Sequence, residues 1–97
     1  MVSYVAEEGK LFCKFEPRLD TVHCLGFESE VLGRIKEFGG DVIFDLEKVN
    51  YVASAFLRIC LRVCKETGTG RFSMVHVSPE VKKVFKIAGF DQELAIQ

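Results

Sequence analysis

The sequence predicts an α/β domain: a mixed sheet of four to five strands with about three helices, in the order β-β-α-β-α-β-α-β. Three observations carry this expectation. Asp41-Val-Ile-Phe-Asp-Leu46 is nearly continuously apolar, the pattern of a central strand covered on both faces. A helical pattern, a second strand and a second helix follow it, and such alternation implies parallel strands joined by right-handed crossovers. The helix boundaries are also marked, by Gly39-Gly40 at the end of one helix and by Ser78-Pro79-Glu80 at the start of another.

The 97 residues suit a single domain, 1–97, with one modest core. An apolar content of 48% with 28% charged residues excludes a disordered chain. The net charge of −1 gives no electrostatic reason to expect a nucleic-acid partner. No long apolar run is present, so no membrane span is expected. The first ten residues carry acids and lack an apolar stretch of signal-peptide type, which points to the cytoplasm.

Taken in order, Tyr4-Val5 and Leu11 to Phe15 read as two strands of a hairpin, turned at Glu7-Glu8-Gly9-Lys10. Leu11, Cys13 and Phe15 form the buried row of the second strand, and Pro17 stops it. A helix then starts near Asp20 or Thr21, either of which can cap it. Phe27, Val31, Ile35 and Phe38 form its apolar stripe. After the central strand comes a helix from about Ala55 to Lys65. Leu57, Leu61 and Cys64 are its expected core stripe, with Cys60 alongside. Phe56, Ile59 and Val63 form a second apolar row that must cover another helix or a partner. Thr67 to Gly70 is a turn, and Phe72 to Val77 a strand. The last helix buries Val81, Val84, Phe85 and Ala88, and Gly89 closes it. Glu93 to Ile96 is a final short strand.

Few residues suggest chemistry. Cys60 and Cys64 share a helix face, and small buried thiols are the simpler reading of that pair. Neither His23 nor His76 has a cysteine or carboxylate at zinc-finger spacing, so no metal and no cofactor is expected. No GxSxG elbow and no phosphate-cradling glycine loop is present, and no base stands beside Ser54, which argues against an enzyme. Ser54 stands where a helical pattern begins, placed to cap a helix or to carry a phosphate.

Four stretches together resemble the STAS domain of anti-sigma factor antagonists, over nearly the whole chain. Pro17-Arg18-Leu19-Asp20 is similar to the family's turn ending in Leu-Asp or Ile-Asp. Val42-Ile-Phe-Asp-Leu46 is similar to its central strand. Val52-Ala-Ser-Ala-Phe-Leu57 stands where the family has an apolar residue followed by Asp-Ser-Ser/Thr-Gly-Leu. Val77-Ser-Pro-Glu-Val81 through Ala88-Gly-Phe90 resembles its last long helix.

The resemblance implies a STAS-like fold and a regulatory role. In its unphosphorylated form such a domain binds a cognate anti-sigma factor serine kinase and frees the sigma factor. Phosphorylation of the first serine after the family's aspartate, here Ser54, releases the kinase, and a phosphatase resets the switch. The implied partner surface comprises Asp20, Thr21, Asn50, Ala53, Ser54, Ala55, Phe56, Arg58 and Ile59. Three positions depart from the family pattern: Ala53 replaces the aspartate, Ala55 the second Ser/Thr and Phe56 the glycine. A STAS interaction module that is not phosphorylated, built into a larger signalling or transport assembly, is the alternative. The sequence does not fix oligomeric state.

Overall fold

The structure, a computed structural model, describes residues 2–68, 70–90 and 95–96. Strands β1 (Ser3–Glu7) and β2 (Lys10–Lys14) form the antiparallel hairpin expected from the sequence. Glu8 (φ 49°) and Gly9 (φ 77°) both lie in the left-handed region. Two such residues in a row make a type I′ turn, whose twist matches that of the flanking strands.

β2 continues into a parallel pairing with β4 (Asp41–Asp45), β4 pairs with β6 (Phe72–Val75), and β6 with β7 (Ala95–Ile96). The sheet order is β1-β2-β4-β6-β7. The last expected strand is thus present at Ala95–Ile96, while Glu93 and Leu94 lie outside the described residues.

In-register residues share a face of the sheet. Leu11, Cys13, Val42, Phe44, Phe72 and Met74 are all buried beneath the helices. Phe12, Ile43, Ser73 and Val75 point the other way and remain partly exposed, and Val5 is exposed. The sequence reading of β4 as covered on both faces is therefore corrected: β4 alternates, and among the described residues only one face carries helices. A short continuous apolar run does not distinguish the two cases.

Helix α1 (Thr21–Phe38) is capped by Asp20 and ends at Gly39, which is left-handed at φ 71°. Cys24, Val31 and Ile35 are its buried residues, with Phe27 and Phe38 packed against the core from the margin. Gly40 is constrained by space: a Cβ there would lie 2.8 Å from the Gly9 carbonyl oxygen and 2.6 Å from the Phe38 ring.

In helix α2 (Ser54–Thr67) the two apolar rows exchange roles. Phe56, Ile59, Cys60 and Val63 are buried, as are Ala55 and Leu57, whereas Leu61 and Cys64 are only half-buried. The row expected to cover another helix or a partner is the one that meets the sheet. Phe15 ties this core together, with ring centroids 4.7 Å from Phe44 and 5.2 Å from Phe56. Both contacts are edge-on, the favoured geometry for aromatic pairs.

After β6 the chain turns at His76 (φ 57°), so the strand stops at Val75 and not at Val77. Helix α3 (Pro79–Ile87) is capped by Ser78, whose hydroxyl accepts the Val81 N–H at 3.3 Å. Its end is a Schellman motif: Phe90 N–H donates to Phe85 C=O at 2.9 Å, and Gly89 N–H to Lys86 C=O at 3.0 Å. Val81 and Phe85 are buried, but Val84 and Ala88 are exposed. This short helix covers the β5 side of the core with one narrow stripe.

Two elements were not anticipated. β3 (Arg18–Leu19) and β5 (Tyr51–Val52) pair in parallel as a separate two-stranded ribbon. At two residues each, neither is long enough to show a period.

Candidate functional site

That ribbon positions the site. Arg18 pairs with Tyr51 and Leu19 with Val52. Asn50 N–H donates to Pro17 C=O and Ala53 N–H to Leu19 C=O, each at 2.8 Å. Both strands then turn straight into helices, so the N-termini of α1 and α2 stand side by side. Each end carries free N–H groups and the positive end of a helix dipole.

The two ends are finished differently. At α1, the Asp20 carboxylate accepts the His23 backbone N–H at 2.9 Å and lies 2.7 Å from His23 Nδ1. The His23 N–H, the His23 ring and Arg18 together hold the Asp20 carboxyl below its ordinary range. The Arg18 guanidinium also covers the Tyr51 ring, 4.4 Å from its centroid. At α2, the capping position is Ala53, which has no side-chain acceptor. The sequence reading of Ser54 as an N-cap is thereby corrected. Ala53 is held extended (φ −91°, ψ 166°) by its bond to Leu19, which continues the line of β5 up to the start of the helix. Ser54 becomes the first helical residue. It is exposed, and its hydroxyl makes no hydrogen bond among the described residues.

The surroundings of Ser54 divide sharply. Asp20 is half-buried and Ala53 likewise, while Thr21, Asn50 and Arg58 are exposed. Ala55, Phe56 and Ile59 are buried, the last two completely, so they are removed from the expected partner surface. Their burial follows from helix geometry: residues two and five after Ser54 lie away from its face. Arg58 and Arg62 both reach Glu28 of α1, Arg58 at 3.3 Å, and clamp the two helices together. One turn nearer the N-termini, Val22 and Leu25 of α1 project into solvent, 78% and 63% exposed. Tyr51 is exposed too. The sequence reading missed these three, because an apolar residue off the main stripe has no distinctive signal until burial is known.

A second cluster lies at the C-terminal end of β4. Asp45, only 8% exposed, accepts the Glu47 N–H at 3.1 Å and faces His76 Nδ1 at 3.0 Å. Burial pushes the Asp45 carboxyl up, but the His76 bond, the Glu47 N–H and the Lys14 charge more than reverse this, leaving it below its ordinary value. The bond to Asp45 and its charge push His76 up. Asp45, Glu47 and His76 offer ligand atoms within 4.8 Å of one another. With Asp45 already bonded to His76, and Lys14 near it, the set is arranged as an ion pair. Asp45 and Glu47 line one wall of an open cleft of about 570 Å³ together with Lys14, Phe15 and Lys48. Asp45 and His76 are 31 residues apart, so no local pattern announced them.

Two parallel helix starts, set level by a short ribbon and displayed beside an open-faced sheet, define a class: a small α/β module that presents one composite end as a surface. The chain belongs to the STAS domain family, whose model matches residues 5–97. It is 27% identical over 85 residues to the putative anti-sigma factor antagonist BtrV of Bordetella bronchiseptica, covering 86% of this chain and 73% of that protein. An anti-sigma factor antagonist from Mycobacterium paratuberculosis superimposes with a TM-score of 0.86 at 17% identity, over 99% of this chain and 83% of that one. The anti-sigma factor antagonist SpoIIAA is similar in its unphosphorylated form (TM-score 0.80, 18% identity, 100% and 88% of the chains). Its phosphorylated form, from Bacillus, gives 0.73 at 17% identity, over 100% and 91%. These structural likenesses establish the shared fold.

Proposed function

We propose that this chain is an anti-sigma factor antagonist, which docks the paired N-termini of α1 and α2 on a cognate anti-sigma serine kinase and is released when Ser54 is phosphorylated. The observation that carries the reading is Ser54 itself: exposed, uncommitted, and at the first position of a helix whose capping residue, Ala53, offers no acceptor. The relative BtrV, named as a putative anti-sigma factor antagonist, supports the same role.

The chemistry of the switch follows from the site. A phosphate adds roughly −1.5 to −2 charges and three acceptor oxygens. At the first position of α2 it meets free N–H groups, the helix dipole and Arg58 one turn on. The fold therefore tolerates the modification. A partner packed over Val22, Leu25, Tyr51 and Ser54 does not, because the phosphate would have to be desolvated against an apolar contact. A phosphatase acting on the exposed phosphoserine resets the cycle.

Ala53 favours a second reading. With alanine in place of the family's aspartate, the domain would act as a constitutive interaction module in a larger assembly. The two readings separate in one experiment. The purified chain is incubated with ATP and its cognate kinase, and the product is mapped by mass spectrometry. Binding of Ser54→Ala and Ser54→Asp to the same kinase is then compared. Phosphate on Ser54, with binding lost only in Ser54→Asp, supports the switch. An unmodified Ser54, with both variants binding alike, refutes it in favour of the constitutive module.

A further inference from the structure

β1 forms an edge of the sheet and pairs only with β2 among the described residues. It is five residues long, and apart from Glu7 at its end it has no charged residue, no proline and no bulge to protect the edge. Its outward hydrogen-bonding groups can be assigned. A two-residue type I′ loop makes Glu7–Lys10 a hydrogen-bonded pair, and the antiparallel alternation makes Val5–Phe12 and Ser3–Lys14 hydrogen-bonded as well. Tyr4 and Ala6 therefore direct their N–H and C=O groups away from β2.

We propose that this edge binds a second copy of the same chain, with β1 pairing antiparallel to β1 of the copy about a two-fold axis at Val5. Self-pairing of an isologous interface requires that each residue tolerate its symmetry mate, and this strand meets the requirement. Tyr4 of each copy exchanges both backbone hydrogen bonds with Ala6 of the other. Val5 meets Val5 as a non-hydrogen-bonded pair, in which side chains approach most closely. Ser3 stands opposite Glu7, so no like charges face each other.

The side chains agree with the backbone on both faces. On the open face, Val5 is 46% exposed and continues the apolar row of Phe12 and Ile43. Pairing about Val5 joins the rows of the two copies into one stripe. On the helix face, Arg34 covers the Tyr4 ring at 4.6 Å, while Ala6 lines the same shallow groove as Glu37. Because the antiparallel pairing sets the Tyr4 level of one copy against the Ala6 level of the other, Arg34 is brought toward Glu37 of the second copy. Charge complementarity thus selects the register that the backbone groups allow.

One strand pair buries little surface, so the dimer is weak, with dissociation in the range of ~10 µM to ~1 mM. Sedimentation velocity across that range tests it. The wild-type chain is expected to move from monomer toward dimer. Ala6→Pro removes an outward N–H and leaves the β1–β2 ladder intact, and is expected to stay monomeric with an unchanged circular dichroism spectrum. Val5→Lys and Val5→Glu are each expected to stay monomeric, and their equimolar mixture to recover the dimer. That complementation keeps the test decisive even if the proline variant fails to fold. A wild-type chain that is monomeric at ~1 mM overturns the proposal. So does a dimer that persists undiminished in Val5→Lys.

Discussion

Replacing Phe56 by alanine tests whether this position belongs to the core or to a docking surface. The ring is fully buried, 5.2 Å from Phe15 and 5.9 Å from Phe44 between centroids. Truncating a buried phenylalanine costs about 3–5 kcal/mol. Two aromatic neighbours, each worth ~0.5–1.5 kcal/mol beyond burial, place Phe56 in the upper part of that range. Domains of this size are stable by only about 5–15 kcal/mol, so much of the total is at stake. Urea unfolding followed by circular dichroism reads it directly. With a slope of ~1–3 kcal/mol per molar, the midpoint should fall by at least ~1 M. Phe56→Gly, which restores the family residue, should cost up to ~1 kcal/mol more through helix propensity. Ser54→Ala, on the same helix but exposed, should stay within ~0.5 kcal/mol of wild type. A Phe56→Ala midpoint within error of wild type, combined with loss of partner binding, would refute the packing argument and return Phe56 to the surface.

Three further outcomes follow from the geometry. Ser78→Ala removes the cap of α3 and should cost about 1 kcal/mol, a fall of ~4–8 °C in Tm; an unchanged melt would deny the cap its role. The Asp45–His76 pair should stabilise over a bounded pH window. Raised in the fold, His76 contributes fully below its unfolded value of about 6.5, and that contribution is lost as pH rises through the raised one. Lowered in the fold, Asp45 contributes above its unfolded value of about 3.9, and that contribution is lost as pH falls through the lowered one. The Tm gap between wild type and His76→Gln should therefore be larger near pH ~5.5 than near pH ~9, and equal gaps would count against the pair. Cysteine labelling should be selective. Burial pushes the thiols of Cys13 and Cys24 up to about 12 and about 11 and that of Cys60 well above its ordinary value, while Cys64 is part-exposed. Brief iodoacetamide treatment followed by peptide mapping should find Cys64 modified first; equal labelling of all four would show that the core opens readily.

The sequence by itself determined the order of the principal elements, the hairpin, and the capping of α1 and α3. These depend on interactions within a few residues: φ > 0 at Gly9, the Asp20 carboxylate over His23 N–H, and Ser78 ahead of Pro79. It also placed Ser54 at a strand-to-helix junction. What only the tertiary structure decided depends on contacts between residues distant in the chain. The apolar run of β4 looks doubly covered in one dimension, and the open face is visible only once its neighbours are paired. Phe56 and Leu61 are equally apolar on paper; packing against Phe15 and Phe44 decides that Phe56 is inside. The β3–β5 ribbon, two residues on each side, moves the cap of α2 from Ser54 to Ala53 and sets two helix ends level. Local chemistry thus named the residue that the proposed function rests on, and long-range pairing left its hydroxyl free.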